Sequence, residues 1–177
     1  MFIKELSTTD PTIQLVAPDV IRDAPLGVTW LAGPRGRHTL KMMGVMDSIN
    51  QPSDLDQETK RIQVFLENPN QYNWMIRVKN QIVGSVWVDR HGWGNLKGPV
   101  VSIMIGDPSA RGQGVGHAAL QAAIEFLESQ GHKRIYARHI IDNQVSPLLL
   151  SKLGFKKTGD PYIDDEDGLS WQTLVRS

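Results

Sequence analysis

Three alternating glycines, Gly112, Gly114 and Gly116, stand between the apolar run Val100-Val-Ser-Ile-Met-Ile105 and a segment of helical period, and no other feature narrows the fold as much. Leu120, Ile124 and Leu127 recur at i, i+4 and i+7 with Gln121, Glu125 and Glu128 opposite, and Gly131 closes the run. That spacing predicts an amphipathic helix with a glycine stop. Val100 to Ile105 is apolar enough to be a central strand covered on both faces. A strand therefore feeds a helix through a loop whose glycines lift the usual steric limits on φ. In such a loop successive backbone N–H groups converge, and the helix adds unpaired donors and the positive end of its dipole. The arrangement suits a phosphate. Arg111 would add a charge-assisted contact to the same anion, and His117, in the first turn, a further donor. The same glycines could also serve only to permit a tight turn.

Two other nucleotide fingerprints fail on these residues. No Lys-Ser or Lys-Thr follows the glycines, as a Walker loop requires. A dinucleotide fold would need glycine at 117, where His117 stands, and would place its loop directly after the strand.

Elsewhere the pattern alternates strands and helices. Thr12-Ile-Gln-Leu-Val16 alternates like a half-buried strand. Pro18, Pro25 and Pro34, with Gly27, Gly33 and Gly36, restrict the next stretch to a short helix over Asp23 to Leu31. Leu55, Ile62, Phe65 and Leu66 share one helical face, with Ser53 as the N-cap and Asn68-Pro69 as the stop. Tyr72 to Val78 and Ile82 to Val88, joined at Lys79-Asn80, predict an antiparallel hairpin, followed by a loop from His91 to Pro99. Ile135 to Ile141 reads as a strand and Asn143 to Leu153 as a helix ended by Gly154. Phe155 onward and Leu169 to Val175 read as terminal strands. This order gives an α/β or α+β sheet with helices on both faces.

Length and composition restrict the function classes. A chain of 177 residues, 40% hydrophobic and 21% charged, suits one packed domain, 1–177. Nineteen Lys and Arg balance nineteen Asp and Glu, so no global field recruits nucleic acid or an anionic membrane, and neither is expected as a partner. Without Cys there is no disulfide, thiolate metal site or cysteine nucleophile. His and Asp show no ligand spacing, so no metal is expected. Met1 to Leu6 lacks the pattern of a secretory leader, no apolar run reaches about 18 residues, and the cytoplasm is the expected compartment.

Two segments together resemble the GNAT superfamily of N-acetyltransferases. Arg111-Gly-Gln-Gly-Val-Gly116 matches the family's pattern Gln/Arg-x-x-Gly-x-Gly/Ala in full. Asn143-Gln-Val-Ser-Pro-Leu-Leu-Leu-Ser-Lys-Leu-Gly-Phe155 lines up without a gap with Asn-x-x-Ala/Ser-x-x-Leu-Tyr-x-Lys-x-Gly-Phe, departing at Leu150. The resemblance covers roughly Tyr72 to Val175 and implies a mixed central sheet of about six to seven strands with helices on both faces. It implies acetyl-CoA as cosubstrate, with backbone groups of Ile103, Met104 and Ile105 along the pantetheine arm. The amides of Arg111, Gly112, Gln113, Gly114, Val115 and Gly116 would hold the pyrophosphate, and Asn143 would touch the arm, cap its helix, or both. A neutral amine would attack the thioester directly, with a backbone N–H of the pre-loop strand facing the developing oxyanion.

The acid and base are less evident. Many family members protonate the leaving thiolate with a Tyr, where this chain has Leu150. Some place a Glu base near the end of the strand that here carries Arg138 and His139. His139 could serve, since imidazoles titrate in the physiological range, or it could simply be a hydrogen-bonded strand residue. Ser102 could order a water. The Ile103 to Pro108 lead-in looks most like the branch acting on protein N-termini, polyamines and small amines, and the protein would work as monomer or homodimer. Asp160, Asp164, Asp165, Glu166 and Asp167 would either border the acceptor site and attract a cationic amine or form a solvated turn. His91 to Trp93 could be an aromatic loop over the acceptor or a plain hairpin connection. A non-catalytic acyl-CoA-binding domain and a binder of a different nucleotide remain alternatives.

Overall fold

The computed structural model describes residues 4–46, 51, 53–92, 94 and 96–177. Trp93 lies outside them. In chain order the elements are β1 (Leu6–Ser7), β2 (Ile13–Val16), α1 (Val20–Leu31), α2 (Gly33–Met42), α3 (Leu55–Glu67), β3 (Gln71–Val78) and β4 (Gln81–Asp89). Then come β5 (Val100–Ile105), a 3-10 turn at Pro108–Ala110, α4 (Val115–Ser129), β6 (Ile135–Ile140), α5 (Val145–Lys152), β7 (Lys156–Lys157), β8 (Tyr162–Ile163) and β9 (Ser170–Arg176). The strands form one mixed sheet in the order β1-β2-β3-β4-β5-β6-β9-β7, with β8 also on β9. It counts nine strands among the described residues rather than six or seven, because β1, β7 and β8 are two-residue pairings too short to carry a pattern.

Helices cover both faces. On one, α4 and α5 pack on Val101, Ile135, Ala137 and Leu174; Leu120, Ile124 and Leu127 of α4 are fully buried there. Each contributes roughly 2 kcal/mol by leaving water. On the other face Val16, Met75 and Met104 meet Leu26, Trp30, Leu31 and Leu40 of α1 and α2.

The first helical region departs from expectation. Instead of one short helix, α1 runs twelve residues with Pro25 inside it, and α2 adds ten more. Asp19 caps α1 by accepting from the Arg22 amide, and burial of Ala24 and Leu31 outweighs the hydrogen bond that Pro25 cannot donate. Pro34 falls in the first turn of α2, where a missing N–H costs nothing. α3 is capped by Asp54 in a reciprocal box with Gln57, not by Ser53. Its inward face is also different, since Leu55 and Leu66 are exposed while Ile62 and Glu58 are buried. The Glu58 carboxylate, paired to Arg61, lies where a Cβ on Gly27 of α1 would fall 2.0 Å from Oε2, so the glycine admits it.

Candidate functional site

Among the described residues only one strand pair in the sheet is parallel, and it is nearly absent. β5 and β6 share a single pair, Val100 with Tyr136, supported by the Tyr136 amide donating to the Pro99 carbonyl at 2.8 Å. Beyond it the strands part. β5 continues against β4 as far as Ile105 with Gly84, and β6 against β9 as far as Ile140 with Trp171. Gly106 donates to the Val83 carbonyl, so the alternation of an antiparallel ladder turns the peptide groups of Ser102 and Met104 to β4 and those of Ile103 and Ile105 to the opening. Of the three strand residues expected to meet a ligand through backbone groups, Ile103 and Ile105 turn theirs to the opening and Met104 does not. The Met104 side chain is buried among Leu31 and Leu40 on the opposite face.

The glycine loop stands at the end of this open edge. Gly112 and Gly114 have φ of 74° and 80°, and no atom lies within 4 Å of where a Cβ would be, so backbone shape alone calls for glycine. Gly114 is the N-cap of α4 and offers no side chain, and the first turn holds no acidic residue. The first amide of α4 with an acceptor is that of Ala118, which bonds the Gly114 carbonyl. Among the described residues nothing accepts from the amides of Gly112, Gln113, Gly114, Val115, Gly116 or His117. Six donors at a helix N-terminus form an anion site. His117 is exposed beside them.

Arg111 is placed differently from expectation. Its Nε and Nη2 both donate to the Ile105 carbonyl, at 3.0 and 2.8 Å, so the guanidinium caps the end of the open strand. Gln113 donates to the Ser109 carbonyl at 2.6 Å. Asn143 acts as a helix cap, its Oδ1 accepting from Val145 and Ser146, which leaves the amide NH2 for another partner. A groove of about 570 Å³ lies on the other flank of the loop, between Asp10, Lys79 and Asp107; it reaches Gln113 and Val115 but no residue of β5 or β6.

The two acid–base candidates lie on opposite faces. Ser102 lies on the side of Met104, α1 and α2, half-buried, next to Trp87 across the ladder. His139 lies with Ile135 and Ala137 on the α4/α5 side and is buried. Its Nδ1 is 2.9 Å from the Ile140 carbonyl, and its Nε2 has no partner. Leu150, also buried, is part of that same core.

Sequence reasoning missed what holds the Ser102 side together. Arg138 stacks on Trp171, 3.9 Å above the ring, and pairs with Asp164 at 2.6 Å. Asp164 lies below the ordinary carboxylate range because Arg138, and then the Glu166 amide, donate to it. Asp167 accepts from the Trp171 indole and the Leu169 amide. Of the acidic turn, only Asp160, Asp165 and Glu166 remain solvated. Gly44, just after α2, lies against Trp171 and Asp167, so α2 crosses the opening from β5 to β9. An Arg one residue before a candidate His, with an aromatic in the partner strand, was the available signal; its acid lay 26 residues away.

Among the described residues no group of three or more His, Cys, Asp or Glu could hold a metal, and no helix is long and apolar enough to cross a membrane.

Three solved structures share the fold at low identity. They are the microcin C7 self-immunity acetyltransferase MccE in complex with acetyl-CoA and AMP (18% identical, covering 94% of this chain and 93% of that one, TM-score 0.76), and RimL, a ribosomal-protein α-N-acetyltransferase in complex with coenzyme A (16%, 97% of each, 0.74). The third is the spermidine N-acetyltransferase of Vibrio cholerae with CoA and spermine (12%, 94% and 96%, 0.74). An uncharacterised protein of Methanocaldococcus jannaschii is 33% identical over 98 residues, 53% of this chain, and the chain spans about a fifth (20%) of that relative's length. The family model described as the acetyltransferase (GNAT) domain matches residues 21–156, most of the sequence, and the chain accordingly belongs to the GNAT acetyltransferases.

Proposed function

We propose that the protein moves an acetyl group from acetyl-CoA to a primary amine by direct attack. The observation that carries this reading is the open edge of β5 running into the unpaired amides at the start of α4. The N–H and C=O of Ile103 and the N–H of Ile105 pair with the amides of the pantetheine arm as an added strand would, the Ile105 carbonyl being held by Arg111. The amides from Gly112 to His117 take the pyrophosphate, and the Asn143 NH2 reaches the arm. An N–H at Ile103 or Ile105 faces the oxyanion, where a fixed donor lowers the barrier most. The amine approaches from the opposite side, past Ser102, which orders it or a water, while Arg138 and Asp164 form the wall. The acceptor is a small amine, a polyamine or a protein N-terminus, and the reaction needs no covalent enzyme intermediate. The working compartment is the cytoplasm.

Leu150 supports one other reading, a domain that binds acyl-CoA without turning it over, because its buried side chain cannot protonate a thiolate. Thermal unfolding with acetyl-CoA, CoA, NAD or ATP tests binding first. A ligand at about 100 times its Kd adds roughly 2.7 kcal/mol, several degrees for a chain of this size. The expected result is a shift with acetyl-CoA and CoA that is lost in Gly114→Asp, which puts a carboxylate among the anion-binding amides. A shift with NAD or ATP alone removes the acetyltransferase reading. Turnover with any primary amine removes the binding-only reading.

A further inference from the structure

We propose that His139 returns the proton to the sulfur of CoA, the task Leu150 cannot perform. This rests on the acetyltransferase reading above. Counting on from Val100 and Tyr136, Ile103 and His139 each lie three residues beyond the last shared pair, on the two strands that flank the opening. Both face the α4/α5 side, the side of the anion site, while Ser102 faces the other. The thioester sulfur belongs to the ligand that enters from the anion site, and the amine belongs to the opposite face. The sheet therefore assigns His139 to the leaving group rather than to the nucleophile.

The ring is prepared for that role. The Ile140 oxygen only accepts, so Nδ1 carries a hydrogen and the imidazole is oriented; the same oxygen also takes the Asn143 amide at 2.9 Å. Nε2 is then the functional nitrogen, and it is buried with no partner in a side chain 6% exposed. A buried polar atom left unpaired is costly unless a ligand or a water meets it, and a sulfur arriving at the opening would give Nε2 that partner. Gln172, the cross-strand neighbour, does not pair with it: its amide donates to the carbonyls of Thr173 and Gly159.

The step balances. The amine nitrogen bonds the carbonyl carbon, the C–S bond breaks, and its electron pair goes to sulfur. Sulfur takes the proton from Nε2 of the imidazolium, leaving the neutral Nδ1–H ring. The new amide sheds its surplus proton to water on the Ser102 side, and His139 recovers one from solvent.

The test uses the full chain with His139→Gln and His139→Ala. Acetyl-CoA binding is read by thermal shift, and turnover by release of CoA thiol with a polyamine, another small primary amine or a peptide N-terminus as acceptor, detected with a chromogenic thiol reagent, since the protein has no thiol of its own. Both variants are expected to bind acetyl-CoA as the wild type does while kcat falls about 100-fold or more, the scale of general acid catalysis. Added imidazole should restore part of the Ala variant's rate. Gln keeps an N–H near the ring position but transfers no proton, so it separates proton transfer from hydrogen bonding. A kcat within about threefold of wild type, or a loss confined to acetyl-CoA affinity, overturns the proposal. If only one variant folds, it decides by itself. Failure of the wild type to bind acetyl-CoA would instead remove the reading on which the proposal stands.

Discussion

Asp164 ties the turn between β8 and β9 to the middle of the sheet through Arg138, and the pair lies on the side from which an acceptor would approach. Its carboxyl is held down by Arg138 first and the Glu166 amide second, so the interaction stabilises the fold above the unfolded carboxylate range and is lost as pH falls through the lower folded value. Asp164→Asn should therefore lower stability by about 1 kcal/mol near neutral pH, the scale of a partly exposed ion pair. It should also flatten the acid limb of the stability–pH curve below about pH 4. Urea unfolding at several pH values measures both, and an unchanged acid limb would count against the assigned cause. The neighbouring carboxylates differ in kind. Asp167 is consumed by the Trp171 indole, and only Asp160, Asp165 and Glu166 are left as an external field for a cationic amine. Residue type alone could not sort five acids in one turn, because the sorting depends on which partner strand lies beneath each.

The loop from Arg111 to Gly116 was legible because its demands are local. A positive φ at Gly112 and Gly114 is a property of the turn itself, and the apolar strand and the i, i+4, i+7 helix fix what lies on either side. The three glycines are nevertheless not equivalent. Gly114→Ala forces a Cβ into the left-handed region and should cost about 1–2 kcal/mol in the free protein. Gly116 has an ordinary φ, and a Cβ there would make only van der Waals contacts, 3.6 Å to Leu149 and 3.7 Å to Ile103. Gly116→Ala should leave stability unchanged or raise it by about 0.4–1 kcal/mol. Any loss of acetyl-CoA affinity in that variant then reports the ligand, and denaturation paired with a binding titration reads the contrast. α1 and α2 were not legible for a related reason. Pro25 and Pro34 argue against a helix locally, while Ala24, Leu31 and Leu40 find their burial in elements distant in sequence. For α3, helical spacing pointed to Leu55, Ile62, Phe65 and Leu66, yet a glycine on α1 allowed Glu58 inward while Leu55 and Leu66 are exposed. The sides of the sheet on which Ser102 and His139 lie follow from register, which no run of residues within one strand contains.

At the scale of the molecule, among the described residues five strands up to β5 and four from β6 onward are joined within the sheet by one parallel pair, with α4 and α5 packed on one face and the end of α2 on the other. The free amides along Ile103, Ile105 and Gly112 to His117 should exchange rapidly with solvent in the ligand-free protein and become protected with acetyl-CoA. Hydrogen exchange resolved to peptides measures this, and protection confined to the loop, without β5, would refute the added-strand arrangement. On the proposed function the donor molecule would be more than a reactant. While bound it would supply the rungs that the sheet lacks between its halves, so the protein would be completed by the compound it consumes. Each turnover would then exchange a strut, and a scarcity of acetyl donor would leave the chain softer, and more open to proteases, along that seam.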